Sequence, residues 1–77
     1  MEISLVRLGA GKRAKIKRIE GGIMFRRRAA SLNIRVGKII RKIVSEPFRG
    51  PVIIEIDNRR ISLGRGMAMK IFLEVEE

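Results

Sequence analysis

Three consecutive arginines, Arg26, Arg27 and Arg28, are the residues whose type and spacing first point to chemistry. Guanidinium groups bind carboxylates and phosphates, so the triplet could form an anion site. Successive side chains on a helix turn by about 100°. With Phe25 facing the core, Arg27 would point away from it, and Arg26 and Arg28 would flank it on opposite sides. The triplet is therefore predicted to be the charged outer face of a packed helix, directed at a partner's surface.

Side chains that commonly perform catalysis are scarce. Histidine and cysteine are absent, so the serines have no histidine base and the chain has no thiolate nucleophile. Glu55 and Asp57 stand two residues apart on one strand face, but they adjoin a turn and are expected to face water. The sequence predicts that the protein is not an enzyme.

Metal-ligating side chains are equally scarce. Transition-metal sites favour imidazole and thiolate ligands, which this sequence lacks. The acidic residues at 74–77 are interpreted as a solvated, frayed segment. Met24, Met67 and Met69 are interpreted as core residues, because methionine fills irregular gaps. We predict no cofactor and no metal site.

Two glycine-containing segments offer cations beside flexible backbone, GAGKR at 9–13 and GRGMA at 64–68. Neither has the G-x-x-x-x-G-K-[ST] spacing that surrounds a phosphate with backbone amides. Glycines at strand ends more often serve turns, and we interpret both segments in that way.

The net charge of +10 at pH 7 is unevenly distributed along the chain. Residues 1–49 hold 14 Lys and Arg against 3 acids, a balance of +11, and residues 50–77 hold 4 against 5, a balance of −1. This asymmetry favours an acidic protein, a nucleic acid or an anionic membrane surface as the partner. The alternative is a basic face that only confers solubility.

A chain of 77 residues is expected to form one domain, residues 1–77, with a thin core. The absence of cysteine, of a signal peptide and of a long apolar run leads us to expect a cytoplasmic protein. The sequence also lacks Thr, Gln, Tyr and Trp beside its many charges, which is typical of proteins from hot environments.

Local patterns predict where the first strands lie. Ala14 and Ile16 alternate with charged residues as in a half-buried strand, and Ile19 falls out of phase, which predicts a β-bulge near Arg18. Residues 38–45 fit a helix or a strand, and their β-branched side chains favour the strand.

A short helix is predicted between these strands, at residues 24–32. Phe25, Ala29 and Leu32 have the i, i+4, i+7 spacing of one helix face. Asn33 follows where a left-handed residue commonly ends a helix.

The second half of the sequence predicts a β-hairpin at 52–63 with its turn at Asp57-Asn58. One helical turn at 67–70 and a last strand at 71–75 are predicted to follow it. Five short strands in so small a chain favour a closed or nearly closed barrel, which leaves little exposed edge.

The second half also resembles the ferrous iron transport protein A (FeoA) family. The segment FRGPVIIEIDNRRISLGRGMAMKIFLE at 48–74 is similar to that family's glycine-proline loop, hairpin, LGRGMA turn and last strand. Upstream, RRRAASLNIRVGK at 26–38 and GAGKRAKIKRI at 9–19 are similar to its helix and first strand. The resemblance covers nearly the whole chain.

This resemblance implies a mainly β, SH3-like five-stranded barrel, with a short helix between strands 1 and 2 and one helical turn before the last strand. It also implies a small cytoplasmic accessory of FeoB, the membrane transporter of Fe(II), and contact with the membrane only through that transporter. The family is often described as binding transition metals, for which this sequence supplies no histidine or cysteine.

Charge and resemblance together predict a protein-binding module in ferrous iron uptake. Arg26 and Arg27 are the candidates for electrostatic steering, and Phe48, Arg49 and Pro51 for a loop contact with the cytoplasmic part of FeoB. The alternative is a small barrel that binds single-stranded nucleic acid, although only Phe48 is expected to be available for stacking. A third interpretation is a module that self-associates through an edge strand.

Overall fold

A six-stranded antiparallel sheet with strand order β1-β6-β2-β3-β4-β5 forms the fold. The computed structural model describes residues 1–45 and 50–76, without the side chains of residues 44 and 45. In chain order the elements are β1 (Glu2–Ser4), a 3-10 turn (Leu5–Arg7), β2 (Arg13–Ile19), α1 (Ile23–Ser31), β3 (Ile39–Ser45), β4 (Val52–Ile56), β5 (Arg59–Leu63), α2 (Arg65–Ala68) and β6 (Ile71–Glu74).

The predicted β-hairpin is confirmed as β4 and β5. Val52, Ile54 and Ile56 are buried in alternation along β4, as the period of two requires. Asp57 and Asn58 connect the strands with φ angles of 51° and 62°. Positive φ at both central residues is the signature of the hairpin turn whose twist matches that of the strands.

The predicted irregularity in the first half is confirmed in β2. The pairing of β2 with β6 changes register between Ile16, which lies opposite Leu73, and Arg18, which lies opposite Phe72. The shift keeps Ile16 buried and turns the end of β2, so that Ile19 also packs against the core.

A Schellman motif ends α1 and ties it to the core. The N–H of Asn33 donates to the carbonyl of Ala30 and the N–H of Ile34 to that of Ala29, each over 2.9 Å. Asn33 has a φ of 65°, as predicted for the residue that ends the helix. Ala29 and Ile34 are both buried, so the helix is held by its last turn.

The prediction of five strands is wrong by one. The additional strand β1 pairs with β6, with Ile3 opposite Leu73. Three residues carry too little periodicity to predict a strand, and their pairing partner lies at the other end of the sequence. The helical turn before β6 also begins two residues earlier than predicted, at Arg65.

The methionines are less buried than predicted. Met67 packs against the core, but the side chains of Met24 and Met69 are 73% and 59% exposed. Within residues 1–45 and 50–76, neither helix is long and apolar enough to cross a bilayer.

Candidate partner-binding site

The arginine triplet divides between two sides of α1. Arg26 and Arg27 line a shallow depression with Ile23 and Ala30. Arg28 lines a different concavity, on the side of α1 that faces α2. Because successive residues on a helix diverge by about 100°, the three guanidinium groups present a broad cationic face and not one anion site.

Two large apolar side chains are exposed at the start of α1. Ile23 is 65% exposed and Met24 is 73% exposed, and only Phe25 separates them from the arginines. Methionine and arginine are enriched in protein interfaces, and exposed apolar residues beside polar ones often mark interaction sites. This end of α1 therefore combines apolar contact area with positive charge.

A groove of about 450 Å³ separates α1 from α2 and the end of β5. Its apolar lining comes from Phe25 and Leu32 of the first helical segment, Leu63 of β5 and Met67 of α2. These side chains are buried or half-buried. The groove is thus an apolar concavity that remains open to solvent after the core has formed.

Cationic side chains accompany the apolar lining of this groove. Arg28 and Lys70 both line it, and the Lys70 ammonium lies 5.0 Å from the centre of the Phe25 ring, within cation–π range. Gly21 permits this position of Phe25, because a Cβ at Gly21 would lie 2.8 Å from the ring atom Cδ2. Gly21 also has a φ of 120°, which other residues rarely adopt.

The ion pairs of the described residues involve cations that lie outside α1 and α2. Arg26, Arg27, Arg28 and Lys70 form no ion pair within residues 1–45 and 50–76. The ion pairs of that part of the chain join Glu2 and Glu20 to Arg18, Glu55 to Arg41, Asp57 to Lys38, and Glu74 to Lys17 and the Met1 ammonium. The helical side of the molecule therefore keeps its positive charge available for another molecule.

The carboxylate of Glu74 contacts two ammonium groups. It lies 2.8 Å from the Lys17 ammonium and 2.6 Å from the N-terminal ammonium of Met1. Hydrogen bonds from Lys17 first, and from the N-terminal ammonium second, lower the pKa of Glu74 to about 2. The same contact raises the pKa of Lys17.

A lysine is buried in the core beneath the 3-10 turn. Lys42 is 2% exposed, and its Nζ donates to the carbonyl oxygens of Leu5, Val6 and Leu8 over 3.3, 2.9 and 2.7 Å. Burial first, and the charge of Arg65 second, lower the pKa of Lys42. Its neighbours are carbonyl groups and not a cavity, so its role is to hold the turn against β3.

No group of three or more carboxylates is arranged to hold a metal ion in the described residues, which contain no histidine or cysteine.

The predicted site residues are placed as follows. Arg26 and Arg27 are exposed on α1. Pro51 is exposed and immediately precedes β4. Val52 pairs with Leu63, so continuing the register places Pro51 opposite Gly64, which lines the groove. Phe48 and Arg49 lie outside the described residues.

Sequence reasoning missed the groove and the buried lysine. The groove forms where α1 and α2 approach the hairpin, so no single segment encodes it. Lys42 looks like an ordinary charged residue of a half-exposed strand, since alternation alone does not distinguish a solvated lysine from a buried one. The glycines at 64 and 66 were a signal that backbone is left open there.

Comparison with known proteins identifies the family. The profile of the FeoA domain matches residues 3–75. The chain belongs to the FeoA family. It is 36% identical over 67 residues to the putative Fe(2+) transport protein A of Methanocaldococcus jannaschii, covering 87% of this chain and 79% of that protein.

A second relative joins this domain to a transporter. The chain is 37% identical over 71 residues to a fusion protein of Fe(2+) transport protein A and the Fe(2+) transporter FeoB from Porphyromonas gingivalis. The match covers 92% of this chain and 8% of that much longer protein.

A solved structure of the family confirms the fold. The crystal structure of an iron uptake regulatory protein (FeoA) aligns with a TM-score of 0.87 at 27% identity, over 96% of both chains. The predicted mainly β, SH3-like FeoA fold is therefore correct, and β1 is the addition that the sequence did not predict.

Proposed function

We propose that this FeoA-family protein is a cytoplasmic accessory of ferrous iron uptake that binds the cytoplasmic part of FeoB. Its basic surface on α1 makes the contact: Arg26 and Arg27 steer the approach, and the loop residues Phe48, Arg49 and Pro51 complete it. In this function the protein performs no catalysis and holds no metal of its own.

The observation that carries this proposal is the unpaired charge of α1. Arg26 and Arg27 are exposed and form no ion pair with the described residues, while the acids of the sheet neutralise other cations. Ile23 and Met24 add exposed apolar area beside them. A surface of this composition suits an acidic protein face, because complementary charge accelerates encounter and apolar contact prolongs it.

The fused relative supports the choice of partner. In the P. gingivalis protein, a segment homologous to this chain is covalently joined to FeoB. Fusion keeps two modules at a high effective concentration, which benefits modules that act together. An association between the separate proteins is the corresponding expectation for this chain.

The test measures association kinetics with full-length FeoB in detergent, immobilised for surface plasmon resonance. Arg27→Glu is expected to lower the association rate constant by roughly several-fold, and the deficit should shrink as salt is raised, because exposed charges are screened. Arg59→Glu is the matched control, since Arg59 is exposed on β5 and does not line the depression that contains Arg26 and Arg27. Unchanged kinetics for Arg27→Glu would show that α1 is not the contact.

A parallel titration with a single-stranded oligonucleotide addresses nucleic-acid binding. Affinity for the oligonucleotide that falls steeply with salt, together with no binding to FeoB, would replace the proposed function with nucleic-acid binding. No binding to either probe would reject both functions.

A further inference from the structure

We propose that the groove between α1 and α2 binds a short acidic segment of a protein partner, with an apolar side chain on the groove lining and carboxylates at Arg28 and Lys70. The inference rests on the proposed function, in that FeoB supplies the segment. It concerns a different side of α1 from Arg26 and Arg27.

The groove has the shape and lining of a peptide site. Its volume of about 450 Å³ accommodates one or two side chains, and part of its wall is apolar, formed by Phe25, Leu32, Leu63 and Met67. Binding sites of this kind are concave and mainly apolar, with a few polar groups that fix orientation. An apolar side chain from outside would remove this lining from water.

The charges around the groove select an acidic occupant. Arg28 and Lys70 line it, and no acidic side chain does so. Neither cation forms an ion pair within residues 1–45 and 50–76, so both are available to a carboxylate. Arginine also binds a carboxylate through two parallel hydrogen bonds, which adds orientation to the attraction.

The concave form favours a peptide over a lipid surface. A flat bilayer cannot reach the lining of a groove, whereas a protruding peptide segment can. Ile23 and Met24 are exposed outside this groove, and Ile23 shares its shallow depression with Arg26 and Arg27 and not with Arg28. In addition, Ser62 and the backbone of Gly64 and Gly66 border the groove, and these polar groups can pair with a peptide main chain.

Gly66 allows the groove to be filled without disturbing the fold. A Cβ added at Gly66 meets no atom within 4 Å, and its φ lies outside the left-handed region. Gly66 lies within α2, where most other residues have a higher helix propensity. Gly66→Leu is therefore expected to occupy the groove while leaving the midpoint of urea unfolding unchanged or higher.

The test compares the equilibrium affinity of full-length FeoB in detergent for four proteins: the unmodified chain, Gly66→Leu, Lys70→Glu and Arg27→Glu. The expected result is that Gly66→Leu and Lys70→Glu each weaken binding by roughly tenfold or more, as for the loss of an interface anchor. Arg27→Glu should act mainly on the association rate.

The outcomes separate the two proposals. If Gly66→Leu and Lys70→Glu bind like the unmodified chain and Arg27→Glu binds more slowly, the groove proposal is wrong and the proposed function stands. If the unmodified chain does not bind FeoB, both fail. Vesicles of phosphatidylglycerol without FeoB form the last arm, and binding there that Gly66→Leu abolishes would assign the groove to lipid and overturn the proposal.

Discussion

The ammonium of Lys42 lies 2.7 Å from the carbonyl oxygen of Leu8, inside the core. Two further carbonyls, those of Leu5 and Val6, accept from the same Nζ. Carbonyl groups at the end of a helical turn have no partner within the turn. The Leu5 carbonyl also accepts from the N–H of Leu8 over 3.2 Å. The single cation from β3 therefore adds a donor at the end of the 3-10 turn, and it joins the N-terminal segment to the sheet.

Lys42→Met tests this role. Methionine keeps the apolar stem but removes the charged hydrogen bonds, and the carbonyls of Val6 and Leu8 lose this donor. We expect the free energy of unfolding to fall by about 1–3 kcal/mol, the usual range for hydrogen bonds to a charged group. Removing the buried amine also removes its desolvation cost, which reduces this loss. Urea denaturation measures it.

Lys15→Met is the control for Lys42→Met. Lys15 is exposed on β2, so the same substitution there should change stability by less than about 0.5 kcal/mol. If Lys42→Met proved as stable as the control, the cost of burying the amine would equal the strength of its bonds.

Locally encoded elements could be predicted from the sequence. The hairpin turn depended on Asp57 and Asn58, both tolerant of positive φ, and the end of α1 on Asn33. The bulge in β2 was visible as one out-of-phase residue, Ile19. Each of these signals is carried by a few adjacent residues, and the local conformation that they favour is the one that the whole fold requires.

Features that depend on distant segments could not be predicted in the same way. Strand β1 exists because β6 offers an edge to it, and Lys42 is buried because the 3-10 turn covers it. The groove needs α1 and α2 to meet at the end of β5. At the candidate site, the charged face of α1 was predicted from the sequence. The sequence did not predict that Arg28 and Lys70 line an apolar groove.

Gly21→Ala should destabilise the fold through Phe25. The added Cβ would lie 2.8 Å from the Phe25 ring, and alanine is strained at a φ of 120°. We expect a loss of about 1–3 kcal/mol, the range for an overpacked site, measured by urea denaturation.

Gly22→Ser is the matched control for Gly21→Ala. Gly22 is the N-cap of α1 in an extended conformation, with open space around a new Cβ. Serine is a favoured N-cap, so this neighbour should be as stable as the unmodified chain or slightly more so. Equal losses at both positions would argue against the contact with Phe25 as the cause.

Asn33→Ala should destabilise the fold more than Asn33→Gly. The amide of Asn33 donates to the carboxylate of Asp57, which also accepts from Lys38 over 2.9 Å. Asn33→Gly loses only this bond, whereas Asn33→Ala also strains the backbone at a φ of 65°. The left-handed conformation costs alanine about 1–2 kcal/mol, so the unfolding midpoints should fall in the order unmodified, Gly, Ala. Identical midpoints for the two variants would mean that backbone strain plays no part.

The composition predicts a thermostable protein. Thermolabile residue types are scarce. The ion pairs of Arg18 with Glu2 and Glu20 form a small network, and such networks contribute more to stability at high temperature. Differential scanning calorimetry should give a melting midpoint above about 65 °C, the upper end of the range for mesophile domains. A midpoint within that range would refute the prediction.

Glu74→Gln should make stability less dependent on pH in the acid range. The pKa of Glu74 is about 2 in the folded protein, against an ordinary value of 4.5. A depressed folded pKa contributes stability that is fully present above the unfolded value and is lost as the pH falls through the folded value. The unmodified chain should therefore exceed Glu74→Gln in urea midpoint at pH 7, and the difference should shrink between pH 4.5 and pH 2.

Glu76→Gln is the control for Glu74→Gln, because Glu76 forms no ion pair within residues 1–45 and 50–76. A difference between the unmodified chain and Glu74→Gln that stayed constant down to pH 2 would show that Glu74 stabilises the fold by contacts other than its ionic ones.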